Sequence, residues 1–169
     1  MPARFMPDRY VRPDWFTRTI FNPIVGWLTR LGVSVYGSRL LAVRGRRTGQ
    51  WRTTPVNLLD YRGQRYLVAP RGVTQWVRNV RSGSEAELRL GSRRERVRLV
   101  EIADDDPLKI ELLRQYLRKW AWEVGAFFQG VGATAPEAEL RRIAPDHPVF
   151  RVEPAPDSRT GPVTRPGAA

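Results

Sequence analysis

The amino-acid sequence predicts a mainly β, α+β protein built as a small antiparallel barrel with helical decoration. Three strand patterns follow one another between residues 38 and 70, with only turns between them. A hairpin pattern and a short final strand come later in the chain. A doubly wound parallel sheet would require a helix between nearly every pair of strands, so this order favours an antiparallel barrel. With 169 residues one domain is expected, and we place it at residues 14–153.

The N-terminal part of the chain predicts helix. Residues 1–13 are expected to be flexible, and a short helical turn is expected over 14–20. Asn22 followed by Pro23 is typical of a helix N-cap and first helical position, and Gly32 ends that helix. Its aromatic and aliphatic residues lie among arginines, a composition typical of an interfacial helix. This segment therefore either contacts a membrane surface, covers a pocket or packs on the barrel.

The remaining elements follow from alternating or helical patterns bounded by Gly, Pro and Asp. Strands are expected at 38–44, 52–61, 64–70, 87–90, 94–102 and 147–152. Helices are expected at 74–81, from the Asp-Asp-Asp-Pro run at 104–107 to about residue 125, and at 136–143. Residues 154–169 contain no aromatic residue and a single Val, so we expect a disordered tail there.

The composition excludes several kinds of chemistry. The chain has no cysteine and one histidine, His147, with no carboxylate at helical spacing from it. Disulfides, thiolate catalysis and cysteine-bound zinc are therefore excluded, and neither a metal site nor a hydrolytic triad is expected. No catalytic acid, base or nucleophile stands out in the sequence.

The net charge of +12 does not by itself indicate nucleic-acid binding. Only Lys109 and Lys119 are lysines, and the arginines are spread through strands, turns and helices, as arginine-rich codon usage would produce. No apolar run approaches the roughly 20 residues of a membrane span, and the N-terminus lacks the features of a signal peptide. A cytoplasmic protein is expected, in contact with a membrane only if the N-terminal helix binds one.

Two sequence fragments point to a binding pocket. The first, G-R-R-T-G-Q-W-R-T-T-P at 45–55, places arginines and glycines in the turn between two strands. Arginine forks match phosphate geometry, and glycine lets the backbone approach an anion closely. The second, W-V-R-N at 76–79, places an indole and a carboxamide on one helix face, which suits a flat heterocycle. Together they predict a pocket for a phosphorylated aromatic cofactor.

These fragments, with Y-L-V-A-P-R-G between them, resemble the deazaflavin-dependent nitroreductase family over roughly residues 21–152. The family has a split β-barrel, flavin-reductase-like fold and uses coenzyme F420, an 8-hydroxy-5-deazaflavin. The resemblance implies that the 46–49 turn holds the cofactor phosphodiester and that Arg52 reaches the phosphate or the glutamyl tail. It implies that strand residues line the ring and that the 76–79 helix completes the pocket. The implied cofactor-binding residues are Arg46, Arg47, Thr48, Gly49, Arg52, Pro55, Val56, Ala69, Pro70, Arg71, Gly72, Trp76 and Asn79.

The resemblance further implies that a hydride acceptor binds near the long C-terminal helix. That region is aromatic here, but its positions do not map residue by residue onto the family's tyrosines. We expect Tyr116 and Trp120 to contact the acceptor. The alternative is that Trp120, Phe127 and Phe128 pack the helix onto the barrel, which we expect for at least two of these three.

Three functions remain open at this point. The first is an oxidoreductase that transfers a hydride from reduced F420 to a small planar acceptor such as a quinone, a nitroaromatic or an enone, as a monomer or homodimer. The second is a carrier that holds F420, a flavin or haem without turnover. The third is a basic protein that binds an anionic membrane or nucleic acid.

Overall fold

A computed structural model describes residues 38–156 of the chain. The predicted flexible segment 1–13, the helical segments over 14–31 and residues 157–169 of the predicted tail lie outside the described residues. The strands are β1 (Ser38–Arg44), β2 (Trp51–Tyr61), β3 (Gln64–Val68), β4 (Ala86–Leu90), β5 (Arg93–Glu101) and β6 (Val149–Pro154). The α-helices are α1 (Gln75–Arg81), α2 (Pro107–Val124) and α3 (Glu137–Ile143), with short 3-10 turns at Gly125–Phe128 and Ala144–Asp146.

The six strands form a closed barrel in the order β1-β2-β3-β6-β5-β4, with every neighbouring pair antiparallel. The predicted split-barrel fold class, mainly β with added helices, is confirmed. Among residues 38–156, no helix is both long enough and apolar enough to cross a membrane.

Strand β2 divides its pairing between two neighbours. Over positions 51–57 it pairs with β1, and over positions 58–61 it pairs with β3. The second edge of positions 51–57 therefore pairs with no described strand. Pro55 lies in this half, where the proline's missing N–H is tolerated beside an unpaired edge. The barrel wall is consequently open along the first half of β2.

Buried side chains form one cluster inside the barrel, a second between the barrel and α2, and a small third cluster where Val77 of α1 meets Phe150 of β6. Neighbouring strand residues point to opposite faces, so Leu58 and Leu67 lie in the inner cluster while Leu59 and Tyr66 lie in the outer one. The outer cluster is completed by one face of α2, whose buried residues recur at helical spacing: Ile110, Leu112, Leu113, Tyr116, Leu117, Trp120 and Val124.

The predicted helix start at the acidic run is confirmed in detail. Asp106 is the N-cap of α2, and its side chain accepts a hydrogen bond of 2.8 Å from the backbone N–H of Leu108. Pro107 occupies the first helical turn, where its missing N–H has no partner to lose. Lys109 is fully buried and forms an ion pair with Asp104.

Three strand boundaries, the end of β3 and both ends of β6, differ from the prediction by two residues, and the others differ by at most one. Strand β3 ends at Val68, not at residue 70, because Ala69 donates to the Pro148 carbonyl at 2.8 Å and the chain then turns at Gly72. Strand β6 runs to Pro154, which is paired with Val97, so the first residue of the predicted tail lies in the barrel. Pro70 cannot donate a ladder hydrogen bond, which favours the earlier end of β3.

His147 is the one buried histidine of the described chain. Its ring stacks on Phe128 with centroids 4.1 Å apart. Burial lowers its pKa from 6.5 to about 4, against the weaker opposing effects of Asp146 and of the Ala69 and Pro70 backbone. The imidazole is therefore neutral at physiological pH.

Two tryptophans on α2 test the core assignment. Trp120 is 0% exposed and Trp122 is 67% exposed. We expect Trp120→Ala to lower the free energy of unfolding by about 3–5 kcal/mol, through lost burial and the cavity left behind. Trp122→Ala, the matched control in the same helix, should cost less than about 1 kcal/mol. Urea unfolding followed by circular dichroism provides the measurement, and equal losses would contradict this packing.

The depressed pKa of His147 predicts acid sensitivity. Because the unfolded chain takes up a proton below about pH 6.5 and the folded chain resists until about pH 4, the free energy of unfolding should fall across that window. The shift in the pKa corresponds to a loss of at most about 3 kcal/mol in the free energy of unfolding. In His147→Phe this part of the pH dependence should disappear. Urea unfolding of both proteins between these pH values tests it, and an unchanged slope in the variant would overturn the assignment.

Candidate active site

A cavity of ≈ 980 Å³ opens where β2 lacks its second neighbour. Its walls are the β1–β2 turn, the consecutive residues 52–57 of β2, the chain after β3, helix α1 and the C-terminal end of α2. Neighbouring side chains of a strand point to opposite faces of the sheet. A cavity on one face would therefore contact only every second residue, whereas a cavity along the strand edge can contact consecutive residues. The cavity is thus a consequence of the divided pairing of β2.

The β1–β2 turn is closed by its own backbone. The Gly45 N–H donates to the Gln50 carbonyl and the Gly49 N–H donates to the Gly45 carbonyl, both at 2.8 Å. Gly49 has a φ of +66°, a conformation that favours glycine. A Cβ at Gly45 would lie 2.9 Å from the Thr48 hydroxyl oxygen, so this position requires glycine unless the threonine moves. The two glycines of the G-R-R-T-G fragment therefore shape the turn.

Asn79 fastens this turn to helix α1. Its Oδ1 accepts from the Arg46 Nη1 at 2.8 Å and from the Arg46 backbone N–H at 3.4 Å. The same Arg46 Nη1 also lies 3.2 Å from the Gln75 Oε1, which accepts from it. Gln75 and Asn79 are four residues apart and so share one helix face. Asn79 is 6% exposed whereas Arg46 is exposed, so this hydrogen-bonded contact is half-buried.

Arginines of the barrel wall and arginines of the cavity differ in their partners. The barrel-wall arginines that form ion pairs with glutamates are Arg44, Arg65, Arg89, Arg96, Arg98 and Arg151, and Arg81 forms one from the end of α1. Within residues 38–156, by contrast, no carboxylate pairs with Arg47, Arg52 or Arg78, all of which line the cavity. Positive charge is therefore left uncompensated on this side of the cavity.

Helix α1 contributes an aromatic ring and a hydroxyl to the cavity wall. Trp76 is partly buried and packs against Phe150, with ring centroids 5.3 Å apart and planes tilted by 56°. Thr74 is the N-cap residue of α1, but its side chain makes no capping hydrogen bond. Its buried Oγ1 has no hydrogen-bond partner in the described part of the chain. A buried hydroxyl without a partner is costly unless a ligand or water satisfies it.

The α2 end of the cavity is polar and aromatic. Burial raises the pKa of the Tyr116 hydroxyl far above its ordinary range, while a hydrogen bond with Asn57 acts in the opposite direction. The Asn57 Nδ2 also donates to the Glu123 Oε2 at 3.2 Å. The Arg71 guanidinium lies over the Phe127 ring at 5.3 Å from its centroid. Tyr116 therefore presents a neutral phenol to this end of the cavity.

Most residues that the sequence pointed to meet in this cavity. The predicted residues that line it are Arg46, Arg47, Thr48, Arg52, Pro55, Val56, Ala69, Pro70, Arg71, Trp76, Asn79 and Tyr116. Gly49 and Gly72 do not line it, and both have positive φ, so their contribution is to the turns beside it.

The expected acceptor contact through Trp120 is wrong. Trp120 is fully buried and packs against Tyr116, with ring centroids 4.9 Å apart, and it does not line the cavity. Phe128 is also fully buried, so the packing alternative holds for these two side chains. The lining aromatics of this region are instead Trp122 and Phe127.

Sequence reasoning missed several lining residues. Gln75 precedes the W-V-R-N fragment by one residue, and its i,i+4 spacing from Asn79 could have found it. Arg78 is the third residue of that fragment and lies at i,i+3 from Gln75. Asn57 and Glu123 are 66 residues apart, and no local pattern joins them. Among residues 38–156, no group of histidine, aspartate and glutamate side chains is arranged to hold a metal ion.

Comparison with known proteins identifies the family. A family model described as F420H(2)-dependent quinone reductase matches residues 22–126, more than half of the chain. A search of curated proteins finds no significant match.

A search of solved structures finds similar chains at low sequence identity. A domain-swapped dimer is 17% identical, with 83% of this chain and 98% of that chain covered at a TM-score of 0.50. The F420-H2 dependent reductase FDR-A is 16% identical, with 72% and 99% covered at a TM-score of 0.49. HutZ, the haem storage protein from Vibrio cholerae, is 10% identical, with 79% and 89% covered at a TM-score of 0.49. From the family match, the chain belongs to the F420H2-dependent quinone reductase family and is an F420-dependent oxidoreductase.

Proposed function

We propose that the cavity binds reduced F420 beside a small planar acceptor and that the protein catalyses hydride transfer to a quinone, a nitroaromatic or an enone. The observation that carries this proposal is the cavity itself. One side of the cavity is lined by arginines that have no carboxylate partner in the described chain. The other side, at the end of α2, is lined by polar and aromatic side chains. The volume of ≈ 980 Å³ is at the upper end of ordinary ligand pockets, which leaves room for two ligands.

The donor set of the cavity fits an anionic cofactor with a phosphodiester. Arg47 and Arg52 are assigned to the phosphate and the acidic tail, because guanidinium groups form charge-assisted hydrogen bonds with such groups. Arg71 and Arg78 add positive charge from the two flanking segments. The partnerless Thr74 hydroxyl offers a hydrogen bond to the bound ligand.

In this proposal Asn79 is a positioning residue, and Arg46 is the side chain it positions. Because the Asn79 Oδ1 is occupied by the backbone N–H and the guanidinium of Arg46, its effect on the cofactor passes through the turn. Fixing the turn before binding lowers the ordering cost of binding. Arg47 and Thr48 then stand on a turn whose conformation is already set.

When bound, the reduced cofactor supplies the hydride, and solvent supplies the proton that completes reduction of a quinone to a hydroquinone. The side chains of the protein orient the two ligands and exclude water between them. Tyr116 keeps its proton and can donate a hydrogen bond to an acceptor oxygen. His147 does not line the cavity, so no role in the reaction is assigned to it.

Turnover separates this function from a carrier of F420, a flavin or haem. Oxidation of reduced F420 should be followed by its absorbance with a panel of quinones, nitroaromatics and enones. Acceptor-dependent oxidation supports the proposal, whereas tight cofactor binding without turnover supports a carrier.

A cytoplasmic location, a monomeric or homodimeric state and membrane contact through the N-terminal helix stay predictions. Liposome co-sedimentation with and without residues 1–30 tests the last of these.

The unpaired arginines should determine cofactor affinity. We expect Arg47→Ala and Arg52→Ala each to weaken F420 binding about tenfold or more, since a charge-assisted hydrogen bond contributes roughly 1.5–3 kcal/mol. Arg98→Ala removes the same charge from the barrel wall, where Arg98 pairs with Glu153, and should change affinity little. Fluorescence titration measures this, and equal losses in all three variants would point to net charge alone.

The Asn79 and Arg46 effects on cofactor affinity should not add. If Asn79 acts through Arg46, the Arg46→Ala/Asn79→Ala double variant should bind F420 no more weakly than Arg46→Ala alone. Asn79→Asp keeps an acceptor oxygen for Arg46 and should bind more tightly than Asn79→Leu. Fluorescence titration of variants with unchanged circular dichroism provides the measurement. Multiplied losses in the double variant would instead indicate that Asn79 contacts the cofactor directly.

A further inference from the structure

The α2 end of the cavity contains a carboxylate in an otherwise cationic site. Glu123 is the one acidic residue among the described residues that line the cavity. Its Oε2 accepts from the Asn57 Nδ2 at 3.2 Å, which holds the carboxylate between α2 and β2. Its charge also acts on the Tyr116 hydroxyl, whose pKa it helps to raise. Glu123, Asn57 and Tyr116 therefore form one polar group at this end.

This group lies far from the main cationic region. Asn57 is five positions beyond Arg52 in the same strand, which corresponds to about 16 Å along β2. The Debye length at physiological ionic strength is about 8 Å, so Arg52 does not neutralise Glu123 through solvent. Arg71, which lies over Phe127, is the cavity arginine on the α2 side, and we assign it to the anionic cofactor. Lys119, one helical turn before Glu123, does not line the cavity, and its ammonium group lies over the Trp120 ring.

We infer that Glu123 selects the acceptor by charge, so that the substrates are neutral or cationic and anionic acceptors are disfavoured. This inference rests on the proposed function, in which the acceptor binds at the α2 end. The Tyr116 phenol donates to an acceptor oxygen, and the neighbouring carboxylate attracts a positive group and repels a negative one. Carboxylated or sulfonated acceptors are therefore poor substrates.

The size of the effect follows from Coulomb's law. Glu123 is exposed to solvent, so its charge acts through a high dielectric. Across about 6 Å of water, the interaction between two unit charges changes the affinity of a singly charged acceptor roughly threefold. The ratio between a cationic and an anionic acceptor should consequently change roughly tenfold when Glu123 loses its charge.

The test uses three naphthoquinones that carry a trimethylammonium group, no charge or a sulfonate. In the wild-type protein, kcat/KM should fall in that order. The ratio of kcat/KM for the cationic acceptor to that for the anionic acceptor should approach one as salt is added. In Glu123→Gln the cation-to-anion ratio should decrease about tenfold and lose its salt dependence. Glu111→Gln is the matched control, because Glu111 lies on the same helix and does not line the cavity. Its Oε1 accepts a hydrogen bond from the Gln115 Nε2. The ratio in Glu111→Gln should equal that of the wild type.

Two results would overturn the inference. One is an unchanged cation-to-anion ratio of kcat/KM in Glu123→Gln, and the other is a wild-type preference for the sulfonate, which would indicate that Arg71 dominates.

If the wild-type protein reduces none of the three compounds, the proposed function fails instead. The same series is then measured as binding, by quenching of tryptophan fluorescence with Trp122 in the cavity wall. A charge preference that Glu123→Gln abolishes would support charge selection without turnover, and equal binding in both proteins would end it.

Discussion

The divided hydrogen bonding of β2 is the constraint on which the rest of the structure depends. Its first half pairs with β1 and its second half with β3, so the barrel closes while one stretch of strand edge pairs with no strand in residues 38–156. An exposed strand edge invites aggregation unless other elements protect it. Here the β1–β2 turn, α1 and the end of α2 gather around the edge and leave a cavity beside it. Because backbone hydrogen bonding creates the cavity, side-chain changes within it can alter the ligand without altering the barrel.

The arginines of this protein divide into two populations with different physical roles. Those on the barrel wall pair with glutamates of the same or another strand, as Arg98 of β5 pairs with Glu153 of β6 and Arg65 of β3 pairs with Glu95 of β5. Exposed pairs of this kind contribute little to stability, but they cancel charge locally. In the described chain, Arg47, Arg52 and Arg78 have no such carboxylate and converge on the cavity. The formal charge of +12 thus matters less than where it is left uncompensated.

Helix α2 serves the core and the site at once, and Tyr116 is the residue that joins them. Its ring lies in the buried cluster with Trp120 and Phe128, whereas its hydroxyl reaches Asn57 at the cavity. A residue held by core packing places its polar group with little loss of entropy on binding. This arrangement gives the acceptor end a rigid phenol beside the more exposed Glu123 and Trp122.

The amino-acid sequence alone predicted the number of strands and their places along the chain, the positions of the described helices, and the residues that meet at the β1–β2 turn and α1. These follow from short-range rules: alternation in strands, an Asp-Pro helix start, glycine at positive φ and arginine forks for phosphate. By contrast, the sequence does not show that Trp120 packs in the core while Trp122 lines the cavity, because that depends on which face of α2 meets the barrel. Likewise, the Asn57–Glu123 contact joins residues 66 positions apart. Local periodicity carries no information about such a contact, since the packing of α2 against β2 produces it.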